Sequence, residues 1–185
     1  KNAGATLIEG WAKITGDNLV QVGDQTYSAE RILIATGGVP HFLDVPGMSE
    51  HAISSDEIFD LPVFPHEVVI HGSGYIALEF AGIFNGLGAK THLVYRSDLP
   101  LRGFDFDIRR HIATALSDRG ISLHSESNVA CVDAVGDSKL VTLSDGSKIT
   151  ADMVMAATGR RPNISDLGLA DVGVACGDNG QIIVD

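Results

Sequence analysis

The chain has few of the features that stabilise small secreted proteins or anchor membrane proteins. Its 185 residues include two cysteines, Cys131 and Cys176, which lie far apart and form neither a C-x-x-C pair nor a metal-binding pattern. It contains no run of 18 apolar residues, the length that a membrane-spanning helix requires. We therefore expect no disulfide framework, no metal site and no membrane partner, and two thiols that suit a reducing cytoplasm.

Positive charge is also scarce. The chain has 13 lysines and arginines against 24 aspartates and glutamates, which gives a net charge of −11. This balance makes nucleic acid a poor partner, and an anionic ligand would need a local positive site. With 44% hydrophobic residues, the chain can form an ordinary buried core of one full domain plus part of another.

One segment combines a strand, a glycine turn and a helix. Val68–Ile70 is a short β-branched run, as in a buried parallel strand. Gly72, Gly74 and Ala77 follow with the G-x-G-x-x-A spacing, which allows a tight turn, close approach of a ligand and tight packing of the next helix. The free amides at the start of that helix are suited to bind a pyrophosphate. Small residues alone also occur in turns that bind nothing.

The residues after the next predicted strand indicate which dinucleotide would bind. That strand covers Thr91–Tyr95 and ends about 20 residues past the glycines, where an acidic residue would hold a ribose 2′-hydroxyl. The sequence instead has Arg96, with Arg102 in the following loop, and arginine pairs well with a 2′-phosphate. The pattern favours NADPH over NADH, and the alternative is a solvated surface loop. His71, the histidine nearest this site, is interpreted as a packing residue.

The chain contains a weak internal duplication. Leu19–Gly38 resembles Leu140–Arg160, and each copy predicts two strands around a tight turn and a third strand that ends at Ala-Thr-Gly. The second copy follows its own βαβ unit, whereas the first does not, so we expect the chain to begin inside another dinucleotide-binding domain. Three segments are predicted: residues 1–40, with a β-meander and an Ala-Thr-Gly strand; residues 41–159, the NADPH-binding domain; and residues 160–185, a return segment.

These motifs together resemble flavoprotein disulfide reductases of the glutathione reductase type. The matching motifs are ATGG-x-P with PG (Ala35–Gly47), SD (Ser55-Asp56), GSGYIALEFA (Gly72–Ala81), YRSDLPLRGFD (Tyr95–Asp105) and ATGRRPN (Ala157–Asn163). The resemblance implies an α/β, Rossmann-like dinucleotide-binding domain. Its parallel sheet would have helices on both faces plus an antiparallel β-meander, and pieces of an FAD-binding domain would flank it. Segments 1–40 and 160–185 are assigned to that FAD-binding domain.

The resemblance also implies roles for matched positions. Ser73 and Ile76 would line the dinucleotide beside Gly72 and Gly74, and Tyr75 would cover the flavin ring until the nicotinamide displaces it. Glu79 would lie near the nicotinamide. Arg96 and Arg102 would hold the 2′-phosphate, and Gly159 with Arg160 would close the site. Tyr75 and Glu79 are four residues apart, so they could also simply form an exposed helix face.

The activity implied by the resemblance is electron transfer from NADPH to FAD, to a redox disulfide and on to glutathione disulfide, in a homodimer. The sequence contains no G-x-G-x-x-G for FAD and no C-x-x-x-x-C, so we identify no catalytic residue and expect this chain alone to be inactive. Trypanothione, mercuric or quinone reductases remain alternatives within the same family. A nucleotide-binding module without catalysis is the alternative from another class.

Overall fold

The computed structural model describes residues 3–185, which form two compact units, residues 3–39 with 161–185 and residues 40–160. Lys1 and Asn2 of the predicted first segment lie outside the described residues. The strands are β1 Ala12–Gly16, β2 Leu19–Val22, β3 Gln25–Ser28, β4 Gly38–Pro40, β5 Ala52–Ile53, β6 Glu67–His71, β7 Lys90–Val94, β8 Ser122–His124, β9 Val129–Val135, β10 Ser138–Leu143, β11 Lys148–Ala151, β12 Met153–Ala156 and β13 Arg160–Pro162. The α-helices are α1 Met48–His51, α2 Tyr75–Gly86 and α3 Phe106–Asp118.

A five-stranded parallel sheet is the centre of the larger unit. Its strand order is β5-β12-β6-β7-β8, and every neighbouring pair is parallel. The central strand β6 is buried over Val68–His71, which explains its continuous apolar run. The predicted α/β class with a parallel sheet is confirmed. Because the carboxyl ends of all five strands lie at one edge, the loops that follow them can form a single site.

Different layers cover the two faces of this sheet. Val68 and Ile70 pack with residues of α2 and α3, including Ala77, Ala81 and Leu116. The alternate residue Val69 faces the antiparallel meander β9-β10-β11, together with the short helix α1. The predicted meander over Val129–Thr150 therefore forms, and it covers most of the face opposite the two long helices.

Local signals explain where the helices begin and end. Asp105 caps α3, because its side chain accepts hydrogen bonds from the amides of Asp107 (2.9 Å) and Ile108 (3.4 Å). Gly120, in the left-handed region at φ 86°, follows the end of that helix. In α2, Ala77 and Ala81 are fully buried, so the helix approaches the sheet closely. No helix among residues 3–185 is long and apolar enough to cross a membrane.

The smaller unit contains the first copy of the duplicated pattern. Strands β1, β2 and β3 form an antiparallel meander, as predicted. The predicted Ala-Thr-Gly strand over Arg31–Ile34 is wrong, since these residues form no strand. A strand needs a neighbour to complete its backbone hydrogen bonds, and within the described residues this segment has none, while Leu33 is 88% exposed.

Candidate nucleotide-binding site

The glycine turn between β6 and α2 has two glycines with different roles. Gly72 has φ 143°, and its amide donates to the Val94 carbonyl over 2.9 Å. A Cβ on Gly72 would collide with the backbone carbonyl of Ala157, so the close approach of two chain segments requires glycine. Gly74 caps α2, and a Cβ there would meet no atom within 4 Å. Its open space leaves the first amides of α2 accessible to a ligand.

The loop after β7 is fixed beside this turn. The Leu101 amide donates to the Ser73 carbonyl over 2.8 Å. The Arg109 side chain holds the same loop from α3, because it donates to the carbonyls of Pro100 (2.7 Å) and Leu99 (2.8 Å). Leu101 is buried and adopts φ 55°, a conformation that costs free energy in a non-glycine residue. The loop thus has a defined conformation next to the glycine turn.

Arg96 and Arg102 lie at the two ends of this loop with free guanidinium groups. Both are exposed, and within residues 3–185 neither makes an ion pair or a side-chain hydrogen bond. Three other arginines of the unit have partners: Arg109 contacts Asp98 at 3.3 Å, Arg110 contacts Asp107 at 2.8 Å, and Arg160 contacts Asp56 at 3.3 Å. Arg96 and Arg102 are therefore available to an anionic ligand.

A cavity of 480 Å³ joins the glycine turn to the arginine loop. Its wall contains both free arginines and no carboxylate, although the chain as a whole is acidic. Its lining residues are Leu43, His71, Gly72, Ser73, Gly74, Tyr75, Tyr95, Arg96, Ser97, Leu101, Arg102, Phe104, Asn128, Ala157, Thr158 and Gly159. The local charge therefore favours an anion, and the volume is within the range of small-molecule sites.

A second cavity of 190 Å³ adjoins the first. Gly74, Tyr75, Ala157 and Gly159 line both cavities, and the second also contains Ile76 and Arg160. Tyr75 is 60% exposed at this junction. Of the ten predicted site residues, Glu79 alone lines neither cavity and lies exposed on α2. An elongated ligand could extend from the arginine loop past Tyr75.

The cavity wall beside the glycine turn comes from the residues that follow β12. The Thr158 hydroxyl donates to the His41 carbonyl over 2.8 Å, and the His41 amide donates to Gly159 over 2.9 Å. In the other copy of the duplication, the equivalent Thr36 hydroxyl donates to the Asn163 carbonyl over 2.6 Å. The threonine of each Ala-Thr-Gly therefore fixes the backbone of a neighbouring segment, and in the second copy this places Ala157–Gly159 at the cavity.

Several polar residues of the cavity were not among the predicted site residues. Asn128 and Thr158 were not predicted, although both follow strands that end at the carboxyl edge of the sheet. His71 was interpreted as a packing residue; it is 2% exposed, and it also lines the cavity. The rule that ligands bind at the carboxyl ends of parallel strands could have identified all three.

His71 is also electrostatically unusual. Burial lowers its pKa from the ordinary 6.5 to about 4, against a smaller opposing effect of a hydrogen bond with the Asn128 side chain. Within the described residues, its Nδ1 is the one buried side-chain nitrogen or oxygen without a hydrogen-bond partner. The imidazole is therefore neutral at pH 7.

We expect acid to destabilise the larger unit through His71. The unfolded state, with pKa 6.5, binds the proton more readily than the folded state, with pKa about 4, so stability is full above pH 6.5 and falls as the pH drops toward 4. The loss should approach ~3 kcal/mol in the free energy of unfolding. Urea unfolding at pH 7 and pH 4 measures it, and His71→Val should reduce the difference between the two pH values. An unchanged difference in the variant would contradict this assignment.

Comparison with known proteins shows the family to which the chain belongs. The family model described as "Pyridine nucleotide-disulphide oxidoreductase" matches residues 1–185. The chain belongs to this family. It is 45% identical over 186 residues to "Glutathione reductase, chloroplastic/mitochondrial" of Pisum sativum, covering all of this chain and 34% of the pea protein. It is 44% identical over 185 residues to "Glutathione reductase" of Burkholderia cepacia, covering all of this chain and 41% of that protein.

A solved structure agrees with the fold. The chain superposes with a TM-score of 0.89 and 28% identity on the "HOCl-induced flavoprotein disulfide reductase RclA from Escherichia coli", over 96% of this chain and 41% of the other. This confirms the predicted resemblance to flavoprotein disulfide reductases. The chain spans about a third to two fifths of the length of these relatives.

Proposed function

We propose that this chain is the NADPH-binding portion of an FAD-dependent disulfide reductase whose final acceptor is glutathione disulfide. The observation that carries the proposal is the pair of unpaired arginines, Arg96 and Arg102, in a cavity wall without carboxylates beside the glycine turn. Identity of 44–45% to two glutathione reductases supports the choice of acceptor. The redox chemistry is supplied by the cofactors, and the chain supplies binding and orientation.

The cavity residues fit the parts of NADPH. The amides at the start of α2, beside Ser73 and Gly74, would hold the pyrophosphate, since the N-cap glycine leaves them uncovered. Arg96 and Arg102 would bind the 2′-phosphate through charge-assisted hydrogen bonds. Tyr75 and Ile76, which line the second cavity, would contact the nicotinamide end.

Other assignments in this proposal depend on the family. Bound NADPH supplies a hydride, and the family implies FAD as its acceptor. Tyr75 is the residue that we place at the flavin face, because its exposed ring adjoins both cavities. Glu79 is proposed to act near the nicotinamide from the exposed side of α2. Gly159 and Arg160 would close the site, with the Arg160 guanidinium held by Ser55 and Asp56, each at 3.3 Å. A homodimer in the cytoplasm completes the proposal.

The proposal predicts the activity of the complete protein that carries this chain. We expect oxidised glutathione to accelerate NADPH oxidation, followed as loss of absorbance at 340 nm, well above the rate with NADH. Trypanothione disulfide, Hg²⁺ and a benzoquinone are the comparison acceptors. Preference for any of these three would show a different reductase of the family, and nucleotide binding without turnover would favour a regulatory module.

A further inference from the structure

His71 lines the first cavity, and the proposed function assigns no role to it. It is the last residue of the central strand β6, paired in register with Val94 on one side and Ala156 on the other. It immediately precedes Gly72, so its ring lies at the middle of the edge that the dinucleotide would cross. Its neighbours Val69 and Val94 belong to an apolar cluster, where valine would fit as well.

A polar ring at this position is unfavourable in the structure without ligand. A buried nitrogen without a hydrogen-bond partner has lost water and gained nothing in return. His71 is nevertheless one of the residues that line the cavity, as is the exposed Asn128, with which its side chain forms a hydrogen bond. Rotation about χ2 of a histidine is soft, so the ring can present either nitrogen to the cavity.

We propose that His71 is a dinucleotide-binding residue, whose neutral imidazole donates a hydrogen bond to an oxygen of the ligand's central ribose–pyrophosphate portion. This rests on the proposed function, since it assigns a further contact in the same site. The bound ligand supplies a partner to Nδ1, the ring nitrogen that lacks one, in the tautomer that carries the proton on Nδ1. Because this contact is away from the 2′-phosphate, it strengthens NADPH and NADH binding alike, unlike Arg96 and Arg102.

The test compares three forms of the chain by calorimetry with NADPH and NADH. We expect His71→Val to weaken both nucleotides about tenfold, the effect of one neutral hydrogen bond to a buried site, and to leave their ratio unchanged. Its thermal midpoint should hold or rise, since the unpaired nitrogen is removed. His71→Asn, which keeps an N–H close to Nδ1, should recover part of the affinity. If His71 only packs in the core, His71→Val should instead lower the thermal midpoint and leave the affinity for both nucleotides unchanged.

Imidazole ¹⁵N shifts of the unaltered chain provide an independent measurement. Adding NADPH should move one His71 nitrogen to a hydrogen-bonded value. If the unaltered chain binds both nucleotides while His71→Val binds them equally well and the shifts do not move, the His71 proposal is wrong and the NADPH site stands. If the unaltered chain binds neither nucleotide, the proposed function itself fails.

Discussion

Replacing both Arg96 and Arg102 with alanine is expected to weaken NADPH binding about 100-fold and to leave NADH binding nearly unchanged. The two guanidinium groups have no partner among the described residues, so the substitution breaks no contact within the protein. Each charge-assisted hydrogen bond to a 2′-phosphate contributes roughly 1.5 kcal/mol at an exposed position, and two give the stated factor. Calorimetric titration with both nucleotides measures the two affinities.

The matched control removes the same charge elsewhere. Arg110 and Arg119 lie on or just after α3 and line neither cavity. Changing both to alanine removes two positive charges, the same number as in the Arg96→Ala, Arg102→Ala variant. A general electrostatic effect would therefore weaken NADPH binding in both double variants. If only the Arg96→Ala, Arg102→Ala double variant loses NADPH affinity, the phosphate-binding site lies at the cavity. Equal losses in the two double variants would contradict the 2′-phosphate assignment.

Gly72→Ala is expected to destabilise the larger unit by about 3 kcal/mol or more. The new Cβ would collide with the Ala157 backbone carbonyl, and φ 143° is a conformation that side chains rarely adopt. The atoms that the new Cβ would meet first, the carbonyl oxygen and carbon of Ala157, belong to the backbone, so no rotamer change can relieve the collision. Urea unfolding with and without the substitution measures the loss.

Gly74→Ala should separate binding from folding. The new Cβ meets nothing within 4 Å and the φ of −77° suits alanine, so the unfolding midpoint should not change. NADPH affinity should fall at least tenfold, because the methyl group would occupy space that the ligand needs. Gly82→Ala, in the middle of α2 with open space, is the control and should gain up to ~1 kcal/mol of stability. Unchanged affinity in Gly74→Ala would show that the pyrophosphate does not lie over this turn.

Much of the larger unit could be predicted because its signals are local. The β-branched run of β6, the glycines after it and the Asp105 cap of α3 each depend on a few neighbouring residues. The Arg31–Ile34 strand was predicted wrongly for the converse reason, since a strand depends on a partner that local sequence does not show.

The site was predictable where its residues follow a sequence spacing. Gly72, Gly74, Arg96 and Arg102 come from one continuous strand–helix–strand–loop segment and all line the first cavity, but Asn128 and Thr158 come from distant strands that only the sheet brings together. Contacts between histidines that are distant in sequence could not be predicted for the same reason. His92 and His124 looked scattered in sequence, yet neighbouring strands place their ring nitrogens 3.0 Å apart, and His92 also contacts Glu67 at 2.9 Å.

The proposed function depends on recognition of the 2′-phosphate of NADPH by this unit. The most direct measurement is calorimetric titration of the unaltered chain with 2′,5′-ADP and with 5′-AMP, which differ only in that phosphate, at low and high salt. We expect 2′,5′-ADP to bind at least tenfold more tightly than 5′-AMP, and this difference should shrink as salt screens the exposed arginines. Equal affinity for the two ligands at low salt would contradict it.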